Sequence, residues 1–193
     1  MTEAPEEPKG LTNRALTDLL VRLGSKLDFD VKTEVEASDS AYVDVVWFDK
    51  RLPVGKKSSN LRYEPVLPVV GFEIEWATAL NAKHVKGSVS NLSNLGAQLG
   101  VIVIGHANLE TLAAQFASSN ETAISSGALK QKQPEEFKKS LCDRVYRWVY
   151  AEAQARGRII VMFDKEVLNW AKTKDPSLLD ALPSPAVSPA ASL

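Results

Sequence analysis

The sequence predicts an α/β domain built on a mixed sheet flanked by helices. Segments with apolar residues every three to four positions alternate with short runs rich in β-branched and aromatic residues. Three of those runs follow one another early in the chain, and strands and helices interleave after them. The expected order is helix, three strands, helix, strand, helix, helix, strand, helix. At 193 residues the chain fits one domain, expected over 11–175, between two tails.

The first helix is announced by Thr12 as N-cap, by Leu16, Leu19, Leu20 and Leu23 on one stripe, and by Gly24 as a C′ residue. Val31–Ala37 alternates, which places Val31, Thr33 and Val35 on one face and Lys32, Glu34 and Glu36 on a solvent face. Tyr42–Phe48 and Val69–Trp76 have the composition of buried strands, joined by a long loop from Asp49 to Pro68. A second helix is expected over Asn81–Leu99, with Val85, Val89, Leu92, Gly96 and Leu99 as its apolar face. Gly100 introduces a short strand, Val101–Ile104, that ends at Gly105. Leu109–Ser118 reads as helix and Ser119–Gly127 as loop. Pro134 opens the longest helix, striped by Phe137, Leu141, Val145, Trp148 and Val149 and ended by Gly157. Arg158–Asp164 is the last strand, with Asp164 placed to cap the helix Lys165–Lys174. Residues 1–10, acidic and proline-bearing, and 176–193, rich in Pro, Ala and Ser, read as disordered tails.

Composition narrows the function classes. A net charge of −1 gives no global attraction to nucleic acid or anionic membrane, so any such contact needs a local basic patch. Cys142 is the single cysteine, which excludes an intrachain disulfide and a cysteine-based zinc site. His84 and His106 have no zinc spacing, and neither G-x-x-x-x-G-K-[ST] nor G-x-G-x-x-G occurs. With no signal-peptide pattern at Met1–Lys9 and no apolar run of membrane-spanning length, the expected location is the cytoplasm.

Chemistry concentrates on three acids in apolar strands. Asp44 stands in Tyr-Val-Asp-Val-Val-Trp-Phe, and Glu73 and Glu75 stand in Val-Val-Gly-Phe-Glu-Ile-Glu-Trp. A carboxylate buried in a strand costs several kcal/mol unless it is paired, protonated or bound to metal. Period-two geometry puts Glu73 and Glu75 on one face and Phe72, Ile74 and Trp76 on the other. With neighbouring strands about 5 Å apart, the three acids can converge on one cation, and hard oxygen ligands suit Mg²⁺ or Mn²⁺. The segment Asp49–Glu64 adds Lys50, Arg51, Lys56, Lys57 and Arg62 against two acids, a local +3 (5 − 2) suited to phosphate contact or to a solvated loop.

These residues resemble the PD-(D/E)xK, restriction-endonuclease-like nuclease superfamily, whose core runs αβββαβ. The resemblance spans roughly residues 11–105. Asp44 matches the acid of the second strand and Glu73 the acid of the third, 29 positions later (73 − 44), and the backbone carbonyl of Ile74 is implied as a further ligand. Glu75 departs from the lysine of the motif. Some members of the superfamily carry Glu-x-Glu, and others move the lysine to the following helix, where Lys86, or less well Lys83, would stand. The resemblance implies metal-dependent hydrolysis of DNA phosphodiester bonds, with Glu75 or a water oriented by Lys86 assisting deprotonation of the nucleophile. A homodimer is common in that superfamily, because two sites cut two strands. Glu75 in place of lysine also keeps open a catalytically silent relative that binds nucleic acid or protein. A third expectation is an α/β subunit that uses the long-helix stripe as an interface.

Overall fold

The computed structural model describes residues 11–51, 67–76, 81–105, 125–127, 134–153, 158–180 and 182. In chain order the elements are α1 (Asn13–Lys26), β1 (Phe29–Ser38), β2 (Ala41–Asp49), β3 (Pro68–Trp76), α2 (Ala82–Leu95), β4 (Leu99–Gly105), α3 (Pro134–Ala153), β5 (Ile159–Phe163), α4 (Asp164–Lys174) and a 3₁₀ turn, Pro176–Leu178. The expected helix Leu109–Ser118 and most of the loop after it lie outside the described residues.

The strands form one mixed sheet in the order β1-β2-β3-β4-β5. β1, β2 and β3 pair antiparallel, and β4 and β5 join parallel to β3. Helix α2 makes the β3–β4 crossover that parallel pairing requires.

Each face of the sheet has its own core. On one side α1 and α4 pack over Val45, Trp47, Val70, Phe72, Ile74, Val101 and Val103, using the expected stripe Leu16, Leu19, Leu20 and Leu23. On the other side α2 and α3 cover Val43, Val46, Phe48, Ile102, Ile104, Val161 and Phe163. Val145 and Val149 bury in that second core with Trp148 packed against it, so part of the long-helix stripe is internal.

Three local expectations change. Thr12 does cap α1, accepting from Ala15 N–H at 3.2 Å, but the helix runs through Gly24 to Lys26. Gly24 is needed for close approach instead: a Cβ there would sit 2.5 Å from Trp47 Nε1 and 2.7 Å from Val31 Cγ2. Gly96, expected inside the second helix, is its left-handed C-cap at φ 71°, so α2 stops at Leu95. Asp164 lies in the first turn of α4 rather than at its cap, and Glu166 reaches back to the Phe163 N–H at 2.6 Å.

The ordered domain also extends beyond its expected end at 175. Asp175 caps the 3₁₀ turn by accepting from Ser177 N–H at 3.0 Å, and Leu178 is buried against the α1–α4 core with Leu179 and Leu182 beside it. The proline at 176 starts a turn here, where it had suggested a tail.

Candidate functional site

The β1–β2 ladder lacks one pair within an unbroken register, and the register shifts of β2 with its two neighbours lie elsewhere, at Glu36/Ser38 and at Trp47/Phe48. In the β1–β2 ladder the register pairs Thr33 with Val45 and Val35 with Val43, and skips Glu34 and Asp44. Glu34 has φ 51°, a left-handed conformation unusual for a side-chain-bearing residue in a strand. Val31 packs on the α1 side, whereas Val35 and Ala37 bury on the α2 side. β2 crosses over at the same level, with Val43 on the α2 side and Val45 on the α1 side. The single alternation expected for Val31, Thr33 and Val35 is therefore corrected: the left-handed residue reverses the faces midway. A positive φ at one strand residue turns the side chains that follow it to the other face.

The β2–β3 ladder opens at the same level. Its last pair towards this end is Val45–Phe72. One step further, Oδ2 of Asp44 accepts the Ile74 N–H at 2.6 Å. The Asp44 carboxylate thus supplies the acceptor where β2 backbone pairing has ended, and it lies beside the residue that separates Glu73 from Glu75.

Glu73 and Glu75 share the α2 face, as period two requires, while Phe72 and Ile74 bury on the α1 side. The Asn91 amide of α2 donates to Glu73 Oε1 at 3.0 Å, and the Ser88 hydroxyl donates to Glu75 Oε1. Glu73 is buried, at 7% exposure. Burial pushes its carboxyl up to about 8, the nearby Asp44, Glu75 and Glu34 charges add to this, and the Asn91 hydrogen bond opposes it. Asp44 is pushed up to about 6, again chiefly by burial, with the Ile74 N–H opposing and Glu34 and Glu75 adding. Among the described residues, no cation is among the groups acting on either carboxyl.

The structure brings together Asp44, Glu73 and Glu75. Glu34, expected on a solvent face from which it could still approach the site, is exposed, and its charge acts on both Asp44 and Glu73. Of the basic residues of the segment 49–64, the two that are described, Lys50 and Arg51, are not brought to the acids. Lys50 lies six residues beyond Asp44, roughly 20 Å along an extended strand, and it pairs with Asp28 at 2.9 Å. Arg51 pairs with Asp49 at 2.8 Å, holding that carboxyl low, at about 2. Lys56, Lys57 and Arg62 lie outside the described residues. Lys86 is exposed and stands about 160° around the α2 axis from Ser88, given 3.6 residues per turn. Lys83 and His84 are exposed too, with N–H groups bound to the Asn81 cap.

By donor chemistry alone, three carboxylates with Asp44 and Glu73 desolvated are of the kind that hard divalent cations take. Among the described residues, as their side chains stand, no group of three or more Asp, Glu, His or Cys could hold a metal ion. Asp44, Glu73 and Glu75 would hold such an ion only with their side chains turned, and it would polarise a phosphate ester and acidify a bound water. Ser88 and Asn91 were missed from sequence. Their only signal was a polar pair three positions apart on the otherwise apolar side of α2.

Fold and site define an α/β protein with a five-stranded mixed sheet and a carboxylate cluster where the β1–β2 ladder lacks a pair. No protein-family model, curated protein or solved structure matches the chain. Among the described residues no helix is long and apolar enough to cross a membrane.

Proposed function

We propose that this chain is a metal-dependent nuclease of restriction-endonuclease-like fold that hydrolyses DNA phosphodiester bonds. The observation that carries the reading is the meeting of Asp44 with Glu73 and Glu75 where the β1–β2–β3 meander opens. Stability alone gives no reason to place like charges there, since each desolvated acid raises the cost of ionising the next. The αβββαβ order, with α2 crossing from β3 to a parallel β4, supports the same reading.

In this scheme Asp44, Glu73 and Glu75 hold Mg²⁺ or Mn²⁺. Asp44 is oriented by the Ile74 N–H, and Glu75 or a water oriented by Lys86 would assist deprotonation of the nucleophile. The closed sheet face behind Phe72 and Ile74 keeps bulk water from one side of the acids. The residues offered for phosphate contact are Lys50, Arg51, Lys56, Lys57 and Arg62; the pairs of Lys50 with Asp28 and Arg51 with Asp49 are solvent-exposed and weak.

The test is cleavage of duplex, single-stranded and branched DNA with Mg²⁺, Mn²⁺ or EDTA, by wild type, Asp44→Ala and Glu73→Ala. Metal-dependent cleavage lost in both variants is the expected result. Cleavage that survives both substitutions sinks the site assignment.

A second reading is favoured by Glu75 standing where the motif has lysine, with Lys86 on the far side of α2 from Ser88. It is a silent relative that binds DNA or a protein partner without turnover. Binding without cleavage on any substrate or metal selects it.

A further inference from the structure

Two polar side chains of α2 reach the acids, and neither belongs to the acid pattern itself. Ser88 bonds Glu75 and Asn91 bonds Glu73. The order is reversed because α2 returns antiparallel to β3 before β4 begins. Residues three apart on a helix are neighbours on its surface, and residues two apart on a strand share a face, so the two pairs form side by side.

The hydrogen-bond inventory fixes how each side chain is turned. The Asn91 Nδ2 has two protons and two oxygen acceptors, Glu73 Oε1 at 3.0 Å and the Tyr42 carbonyl at 3.4 Å. Both partners accept, so the amide must present its nitrogen. Tyr42 precedes Asp44 by two residues, which ties α2 to β2 beside the first acid as well as to β3. Ser88 is buried at 5% exposure and has one hydroxyl proton. A serine inside a helix ordinarily bonds back to the carbonyl four residues earlier, here His84 at 3.2 Å. The Glu75 oxygen is nearer and takes the proton.

We infer that Ser88 and Asn91 are the positioning residues of the cation site, each holding Oε1 of one glutamate so that Oε2 is the ligand atom. The inference rests on the metal-site reading above. Without the two bonds, Glu73 and Glu75 are free to swing apart under mutual repulsion, and a bound cation must order them anew.

The experiment is calorimetric titration of the full chain with Mn²⁺ alone, in wild type, Ser88→Ala, Ser88→Thr, Asn91→Ala and Asp44→Asn, with thermal melts of each. Asn91→Ala and Ser88→Ala are expected to bind Mn²⁺ about 10-fold or more weakly than wild type, the usual effect of losing an outer partner of a ligand. Ser88→Thr keeps the hydroxyl and is expected to stay nearer to wild type than Ser88→Ala. If Ser88→Ala does not fold, Asn91→Ala, at a partly exposed position, decides. Wild-type affinity in both alanine variants, with binding lost in Asp44→Asn, overturns the positioning role and leaves the site intact. Absence of Mn²⁺ binding by the wild type overturns the site and this inference together.

Discussion

The backbone N–H of Ile74 donates to Oδ2 of Asp44 at 2.6 Å, which fastens the first acid to the residue lying between the other two. A side chain therefore closes a gap that strand pairing leaves open. The cost is that Asp44, Glu73 and Glu75 are crowded in a partly desolvated corner, and that crowding governs how the protein responds to pH and to metal.

The metal-free protein is expected to lose stability through these groups as pH rises from about 4 to about 8. Asp44 goes from 3.8 to about 6 on folding and Glu73 from 4.5 to about 8. Between those limits the native state binds more protons than the unfolded chain, so the slope of stability against pH is negative, on the order of a few kcal/mol in total. Glu73→Gln keeps an acceptor for Asn91 and removes the larger part of the slope. Urea unfolding at pH 4.5 and pH 8 measures this, and an equal slope in the variant refutes it.

Mn²⁺ is expected to raise the melting temperature, more at pH 8 than at pH 6, because it competes with the protons on Asp44 and Glu73. At 100 times Kd the gain is about 2.7 kcal/mol for a ligand that binds only the native state. EDTA should reverse it, and Asp44→Asn should abolish it. A shift that is the same in Asp44→Asn would assign the ion to another place.

Gly24→Ala is expected to destabilise by about 1–3 kcal/mol, even though alanine is the better helix former. The new Cβ collides with Trp47, whose Nε1–H donates to the Leu20 carbonyl at 3.1 Å and whose ring stacks on Phe29 at 5.4 Å. Chemical denaturation with tryptophan fluorescence reads both the loss and the changed environment. Unchanged or increased stability would show that α1 can shift freely over the sheet.

Leu178→Ala is expected to cost about 2 kcal/mol, near the low end for a buried leucine, because the site keeps 8% exposure. A shortened chain ending at residue 174 should lose more, since it also removes Asp175 and its pair with Lys26 at 2.7 Å. Melting temperatures equal to wild type in both would place 176–182 outside the cooperative unit.

Glu34→Gly is expected to stabilise the metal-free protein by roughly 1 kcal/mol. It relieves a left-handed backbone at φ 51° and removes a charge that acts on Asp44 and Glu73. Loss of stability would mean that the Glu34 side chain supports the strand reversal in its own right.

Much of the layout was legible beforehand. The leucine stripe of α1, the three successive strands and the shared face of Glu73 and Glu75 follow from periods of 3.6 and two, which local chemistry imposes before any packing occurs. The common face expected for Val31 and Val35 failed because the positive φ at Glu34 reverses the alternation, and a glutamate carries no sequence sign of that conformation. Lys86 drew attention ahead of Ser88 and Asn91 because the resemblance implies a lysine on the helix after the third strand, whereas the rotation of α2 about its axis is set by packing such as that of Leu92 and Leu95 over Gly71.

By itself, then, the sequence determined the elements, their apolar faces and the presence of three acids in strands that ought to be apolar. Only the tertiary structure decided that these acids meet where both ladders skip Asp44, that α2 presents Ser88 and Asn91 to them, and that Lys50 pairs with Asp28. The physical reason is that periodicity governs neighbours within an element, whereas register, strand direction and helix rotation are settled between elements, by contacts far apart in the chain.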